Sequence, residues 1–243
     1  MDVRPLTLPS RWTVQPSQWP GVPWTLTARQ RTALYGHVWN DRQWFVQEVT
    51  PTQVVLEAGH YFDWLLTNRL LTKPWDTLPR AAQAWVQTYP WSDPPTILPT
   101  SRIALATSGL ICDRAGRWLF VQPPHRTGWF ASAGGGMIPE DGFGPDVPQR
   151  AWIREVREEL GIAVTNVMPL QAVASPWHDE WVWGFLAHYD GLWDTQPWRG
   201  AIDGALEVGR VQWHDAQEPL SESLSPVAAW LWRTACLYAI WAL

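Results

Sequence analysis

The segment Ala151-Trp152-Ile153-Arg154-Glu155-Val156-Arg157-Glu158-Glu159-Leu160-Gly161-Ile162 carries three carboxylates, Glu155, Glu158 and Glu159, at i, i+3 and i+4. At about 100° per residue, this spacing confines them to one helical stripe roughly 100° wide. Like charges so placed repel, each neighbouring pair costing a helix roughly 0.2–0.5 kcal/mol, so a positive group is expected over the stripe. A hard divalent cation that takes oxygen ligands, Mg2+ or Mn2+, meets that requirement. With Glu155 at zero on the helical wheel, Trp152, Ile153, Val156 and Leu160 fall between about 60° and 160° and form an apolar stripe beside the carboxylates. One face packs while the adjacent edge meets water.

The ends of the helix are legible too. Asp146 with Gln149 three residues later has the spacing of an N-cap and capping box, Pro148 is tolerated in the first turn, and Gly161 supplies the stop. A helix from Val147 to Leu160 is predicted. Arg154 precedes Glu158 by four residues and can pair with it, whereas Arg157 points away. A solvated amphipathic helix with inert glutamates has the same pattern. Against it stand Gly134-Gly135-Gly136 just upstream, since glycine lets a backbone approach a ligand closely, and Ala151, which is small and one turn ahead of Glu155.

Arg154 to Ile162 resembles the second half of the Nudix box, Arg-Glu-U-x-Glu-Glu-x-Gly-U with U a bulky aliphatic, at every specified position. The first half of that motif is Gly-x5-Glu-x7-Arg. Asp146 stands seven intervening residues before Arg154, where glutamate is usual, and Gly136 lies nine intervening residues before Asp146 rather than five. The loop Met137 to Pro145 therefore reads as four residues longer than the family's.

The resemblance implies divalent-metal-dependent hydrolysis of the pyrophosphate bond in a nucleoside diphosphate linked to another moiety. It also implies Glu155, Glu158 and Glu159 as ligands of Mg2+ or Mn2+, and Arg154 as the residue that orients them. The general base is expected at Glu207, similar to a glutamate that many Nudix domains carry ahead of their last sheet strand, with Asp179 and Glu180 as weaker candidates. Gly135 and Gly136 would allow close approach to the substrate, Arg126 would contact phosphate, and Trp129, Trp177 or Trp181 would stack a base. Glu140 is a further candidate ligand. Two other readings share the fold. One is a catalytically silent Nudix-like nucleotide sensor or scaffold. The other is an isopentenyl diphosphate isomerase using a cysteine, for which Cys112 is the candidate.

Composition narrows the partners. The chain has 243 residues and a net charge of −5, with Lys73 its one lysine. That balance argues against bulk binding to nucleic acid or anionic membrane and leaves a nucleotide-type small molecule as the expected partner. No stretch approaches the roughly 18 consecutive apolar residues of a membrane span, and the N-terminus has no apolar leader, so a cytoplasmic location is expected. Cys112 and Cys236 read as buried free thiols. The 21 tryptophans follow no fixed period, so a repeat protein is not indicated.

Along the chain, residues 1–27 hold five prolines that preclude long regular structure. Strands are predicted at 44–49 and 53–57, joined by Thr50-Pro51-Thr52, then helices over His60–Leu71 and Pro79–Thr88. Residues 90–99 hold four prolines and read as a linker. Beyond it follow strands over 102–112 and 117–122 with a turn at Asp113-Arg114-Ala115-Gly116, the glycine loop, the carboxylate helix, strands over 164–174, 181–189 and 208–213, and a closing helix over 227–241. The fold class is thus α/β of the α+β kind: a Nudix-like mixed β-sheet sandwiched between helices over 99–243, preceded by a smaller α+β module over 1–98. That module reads as a specificity module, a dimerisation arm or a partner-binding domain, and a homodimer is among the assemblies it allows.

Overall fold

The computed structural model describes residues 3–16, 42–61, 64, 103–124, 127–175, 180–191, 197–201, 208–216 and 223–241. The strands are β1 (Arg4–Pro5), β2 (Arg11–Val14), β3 (Arg42–Val49), β4 (Gln53–His60), β5 (Ile103–Asp113), β6 (Arg117–Gln122), β7 (Ala133–Gly136), β8 (Thr165–Ala174), β9 (Glu180–Tyr189) and β10 (Arg210–Asp215). Among the described residues two helices, α1 (Val147–Leu160) and α2 (Pro226–Trp241), accompany them, with 3-10 turns at Pro139–Asp141 and Pro197–Gly200. Antiparallel and parallel pairings both occur, so the fold class is α+β with a mixed sheet.

The chain divides into two compact units, one of Met1–Leu8 with Leu105–Leu243 and one of Pro9–Ala104. In the Pro9–Ala104 unit, β4 lies between β2, to which it is parallel, and β3, to which it is antiparallel. The β3–β4 turn closes because Thr50 receives the Gln53 amide on its hydroxyl at 3.1 Å and donates its own amide to the Gln53 carbonyl at 2.9 Å. Phe45, Trp64 and Ala104 form one buried cluster, with Tyr61 stacked on Trp64 at 5.4 Å. The helix predicted from His60 starts too early, because β4 continues through His60 to complete its pairing with Arg42. Beyond Tyr61 and Trp64 that helix, the one over 79–88 and the linker lie outside the described residues.

In the other unit the strand order is β1-β8-β9-β5, and β5 also pairs with β7 and β6, with β10 beyond β6. The period-two alternation of β5 and β6 explains why this sheet needs cover on both faces. Ile111, Leu119 and Val121 pack with Trp152, Val156 and Leu160 of α1. Their neighbours Leu110, Cys112, Trp118 and Phe120 pack with Ala228, Leu231 and Ala235 of α2. Burying side chains of this size stabilises the fold by roughly 1.5–3 kcal/mol each. The turn between β5 and β6 follows from Asp113, whose Oδ1 accepts the amides of Ala115 and Arg117 at 2.9 Å each, and from Gly116 at φ +79°.

Two local expectations change. The triple glycine is a strand, β7, not a loop: Ala106 pairs with Gly136 and Gly109 with Ala133. A Cβ at Gly134 would lie 2.5 Å from the Thr107 carbonyl, so the strands approach this closely only without a side chain. The helix limits 147 and 160 stand as predicted, and Gly161 ends α1 at φ +67°. Its N-terminus, however, has no side-chain cap. Asp146 is already in a helical conformation, φ −93° and ψ −5°, and its carboxylate turns to Arg150 instead of to the backbone amides. Among the described residues no helix is long and apolar enough to cross a membrane.

Candidate functional site

α1 is fixed to the sheet before any of its carboxylates act. Trp152 stacks on Phe185 of β9 at 5.3 Å and donates its indole N–H to the Ala133 carbonyl at 3.2 Å. Gly109 of β5 makes the room, since a Cβ there would meet the Trp152 ring at 2.5 Å. With the apolar stripe held down, the neighbouring stripe falls beside β7.

There Arg154 gathers the acidic groups. Its Nε and Nη2 fork onto Asp141 at 2.9 and 3.2 Å, and Nη2 also donates to the Gly136 carbonyl at 3.0 Å. Its Nη1 lies between Glu155 Oε1 at 2.8 Å and Glu158 Oε2 at 2.7 Å. The planar fork with its five N–H donors is thereby used throughout, which a lysine could not reproduce. Burial opposes the guanidinium charge, but the hydrogen bond to Asp141 and the charges of Glu155 and Asp141 outweigh it and hold Arg154 protonated beyond its ordinary range. Asp141 is itself held, its Oδ2 accepting the Ile138 amide at 3.0 Å, and its side chain is only 5% exposed.

Glu155 is held beside Arg154 with its side chain 13% exposed. Burial pushes its carboxyl up to about 7, the Arg154 charge pulling it down and the Glu158 charge pushing it up again. Gly135 makes space for it: a Cβ at that position would lie 2.4 Å from Glu155 Oε1. Glu159, 7% exposed, accepts the Gly134 amide at 3.5 Å. Glu158 is more open, at 29%.

Of the residues singled out in the sequence, Glu155, Glu158, Glu159, Arg154, Gly135 and Gly136 come together here. Trp129 does not. It is 6% exposed, belongs to the core beneath α2 and exchanges backbone hydrogen bonds with Ser223 and Ser225, so it has no free face for a base. Trp181 is likewise buried. Cys112 packs in the same α2-side core, where burial and then the charge of Asp113 push its thiol up to about 11. Glu140 is exposed and Glu180 opens β9 half-buried. Arg126, Glu207, Trp177 and Asp179 lie outside the described residues.

Two residues were missed. Asp141, not Asp146, grips Arg154, and Arg150 donates to the Asp141 carbonyl at 3.0 Å while pairing with the Asp146 carboxylate. A signal for Asp141 was present: five residues separate it from Gly135, the interval of the Gly-x5-acid pattern. The additional residues therefore fall after the acid. Twelve residues, not seven, stand between Asp141 and Arg154, so the insertion is five long and occupies Gly142–Asp146.

The donor set suits a hard divalent cation. Its candidate ligands are all carboxylates, one is desolvated next to another negative charge, and the space a Cβ would fill at Gly135 opens onto it. Arg154 engages one oxygen each of Glu155 and Glu158. Among the described residues no three histidine, cysteine or acidic side chains converge at ligand spacing.

No family model matches the chain, and no curated protein matches it. Solved structures do. The chain is similar to a Deinococcus radiodurans protein (16% identity, 80% of this chain and 99% of that one, TM-score 0.45). It is similar to a MutT Nudix hydrolase from Burkholderia pseudomallei (20% identity, 54% and 95%, TM-score 0.40). It is also similar to the Nudix domain of Shewanella oneidensis NrtR, solved with ADP ribose (15% identity, 64% and 97%, TM-score 0.43).

Proposed function

We propose that the chain hydrolyses the pyrophosphate bond of a nucleoside diphosphate linked to another moiety, using Mg2+ or Mn2+ held by Glu155, Glu158 and Glu159. The observation that carries this reading is the gathering of those carboxylates against β7, with Arg154 bridging two of them. When bound, the metal would neutralise phosphate charge and acidify the attacking water. The chain's own part is positioning and electrostatics, as phosphoryl chemistry requires. Arg154 fixes the rotamers of Glu155 and Glu158, and Asp141 fixes Arg154. β7 brings a side-chain-free backbone to the carboxylates, which leaves space for a diphosphate. Glu207 remains the sequence candidate for the base.

The test is release of phosphate-containing products from nucleotide sugars, dinucleoside polyphosphates, ADP-ribose, NADH and nucleoside triphosphates, with Mg2+ or Mn2+, by wild type and Glu159→Gln. Turnover of one class, abolished by the substitution, is expected. No turnover of any class, with one ligand raising the melting temperature in a metal-dependent way, would replace the hydrolase by the sensor.

A further inference from the structure

Two arginines of α1 hold Asp141, and only one of them touches the carboxylates. Arg154 takes the Asp141 side chain, with its Nε on Oδ1 at 2.9 Å. Arg150, one turn nearer the helix start, donates its Nε to the Asp141 main-chain carbonyl at 3.0 Å and pairs through Nη1 with the Asp146 carboxylate. Asp146, Arg150, Arg154 and Glu158 succeed one another at intervals of four, so these charges follow one shallow spiral of α1. Arg150 and Arg154 are like charges at i and i+4, which repel on a bare helix. Asp141 joins them, its carbonyl on one and its carboxylate on the other.

Contacts within the turn Pro139–Asp141 fix its shape: the Asp141 amide donates to the Ile138 carbonyl at 3.0 Å, and Asp141 Oδ2 accepts the Ile138 amide at 3.0 Å. They do not fix the turn against α1. One attachment to the helix, Arg154 on the carboxylate, leaves the turn a pivot. The Arg150 bond is a second attachment one turn away, and two attachments set a direction. Asp146 keeps Arg150 in the rotamer that reaches the carbonyl. The Arg150 side chain is 45% exposed and that of Asp146 64%, so solvent screens the pair and it adds little stability. What it supplies is orientation.

We infer that Arg150, with Asp146 behind it, is a positioning residue of the carboxylate site, acting through Asp141 on Arg154 and through Arg154 on Glu155 and Glu158. This role rests on the reading of those carboxylates as a cation site and extends it to the helix start. Its sign separates it from simple charge. Taking a positive charge away from a cation site tightens cation binding by electrostatics alone, whereas loss of ligand orientation weakens it.

The test combines calorimetric titration with Mn2+ and the Arg154 Nε–H resonance of the metal-free protein, a proton that the Asp141 carboxylate accepts. Arg150→Gln, an equal helix former, is expected to weaken Mn2+ binding about tenfold, the lower end of the range for losing a residue that orients metal ligands. It should also shift the Arg154 Nε–H signal while the melting temperature hardly moves. Arg157→Gln removes the same charge from an exposed position of α1 and should neither weaken Mn2+ binding nor shift the signal. In an Asp141→Ala background, where the link is already broken, Arg150→Gln should cost no more than about twofold. Unchanged or tighter Mn2+ binding in Arg150→Gln, an unmoved Arg154 signal, or a tenfold loss that persists without the Asp141 carboxylate would overturn the role. A wild-type protein that takes up no Mn2+ fails the cation reading alone, and the Arg154 signal then decides whether Arg150 positions that arginine.

Discussion

Gly135→Ala separates the site from the fold that carries it. The new Cβ would sit 2.4 Å from Glu155 Oε1, 2.5 Å from its Cδ and 2.7 Å from Oε2, whereas ordinary contact begins near 3.4 Å. The carboxylate must therefore retreat by about 1 Å. Only the end of a flexible side chain is in the way, and replacing a glycine within a strand by alanine itself recovers roughly 0.5–1 kcal/mol, so the melting temperature should hardly move. Function should move, because a displacement of about 1 Å in a positioned group costs on the order of 100-fold in rate. Gly134→Ala is the control. Its Cβ would meet the Thr107 carbonyl at 2.5 Å, backbone that cannot swing aside, so overpacking should cost about 1–3 kcal/mol of stability. Thermal melts, Mn2+ titration and product release on both variants form the assay. Full activity and cation affinity in Gly135→Ala would mean that Glu155 does not need its observed place.

Arg154→Lys keeps the charge but loses the fork on Asp141, so cation affinity should fall about 10–100-fold, the range for losing a residue that orients metal ligands, as measured by calorimetry. Trp129→Ala should cost about 3–5 kcal/mol in denaturant melts while ADP affinity of the folded protein stays unchanged, because the ring is core. Deleting residues 1–8 removes β1 with the Leu6 amide to Ala172 carbonyl bond of 2.9 Å and the Gln171 to Leu6 bond of 3.0 Å. That should lower stability by about 1–3 kcal/mol and bare the edge of β8 to aggregation, read by light scattering. The Cys112 thiol, ordinarily at 9.0 and raised to about 11 in the fold, ionises more readily when unfolded. Its contribution is therefore intact below pH 9 and is lost as pH rises towards 11, and in urea melts Cys112→Ser should show a smaller loss of stability across that window.

The helix that carries the carboxylates was legible to the residue because its signals are local: an apolar stripe, a proline in the first turn and a glycine at the stop. Its pairing with Glu158 through Arg154 was legible for the same reason, being one turn apart. The partner of Arg154 across the loop was not. Asp146 has the family spacing in sequence, but Asp141 is brought to the guanidinium by the 3-10 turn Pro139–Asp141, and only the path of the chain decides between them. Gly134-Gly135-Gly136 misled for a related reason. Glycine disfavours strands in general, yet here the close approach to β5 and the space beside Glu155 both require it. Trp129 misled because an isolated tryptophan has no period to show which face of the sheet it takes, and its burial beneath α2 arises from the pairing of its neighbourhood with Ser223 and Ser225.

Glu155, Glu158 and Glu159 are expected to form one divalent-cation site. Anomalous diffraction from crystals of the chain soaked in Mn2+ tests it directly. The expected result is a Mn2+ peak among these three carboxylates in wild type that is absent in Glu159→Gln. A peak that persists unchanged in the variant, a peak elsewhere, or none at saturating Mn2+ would show that these carboxylates do not hold the cation.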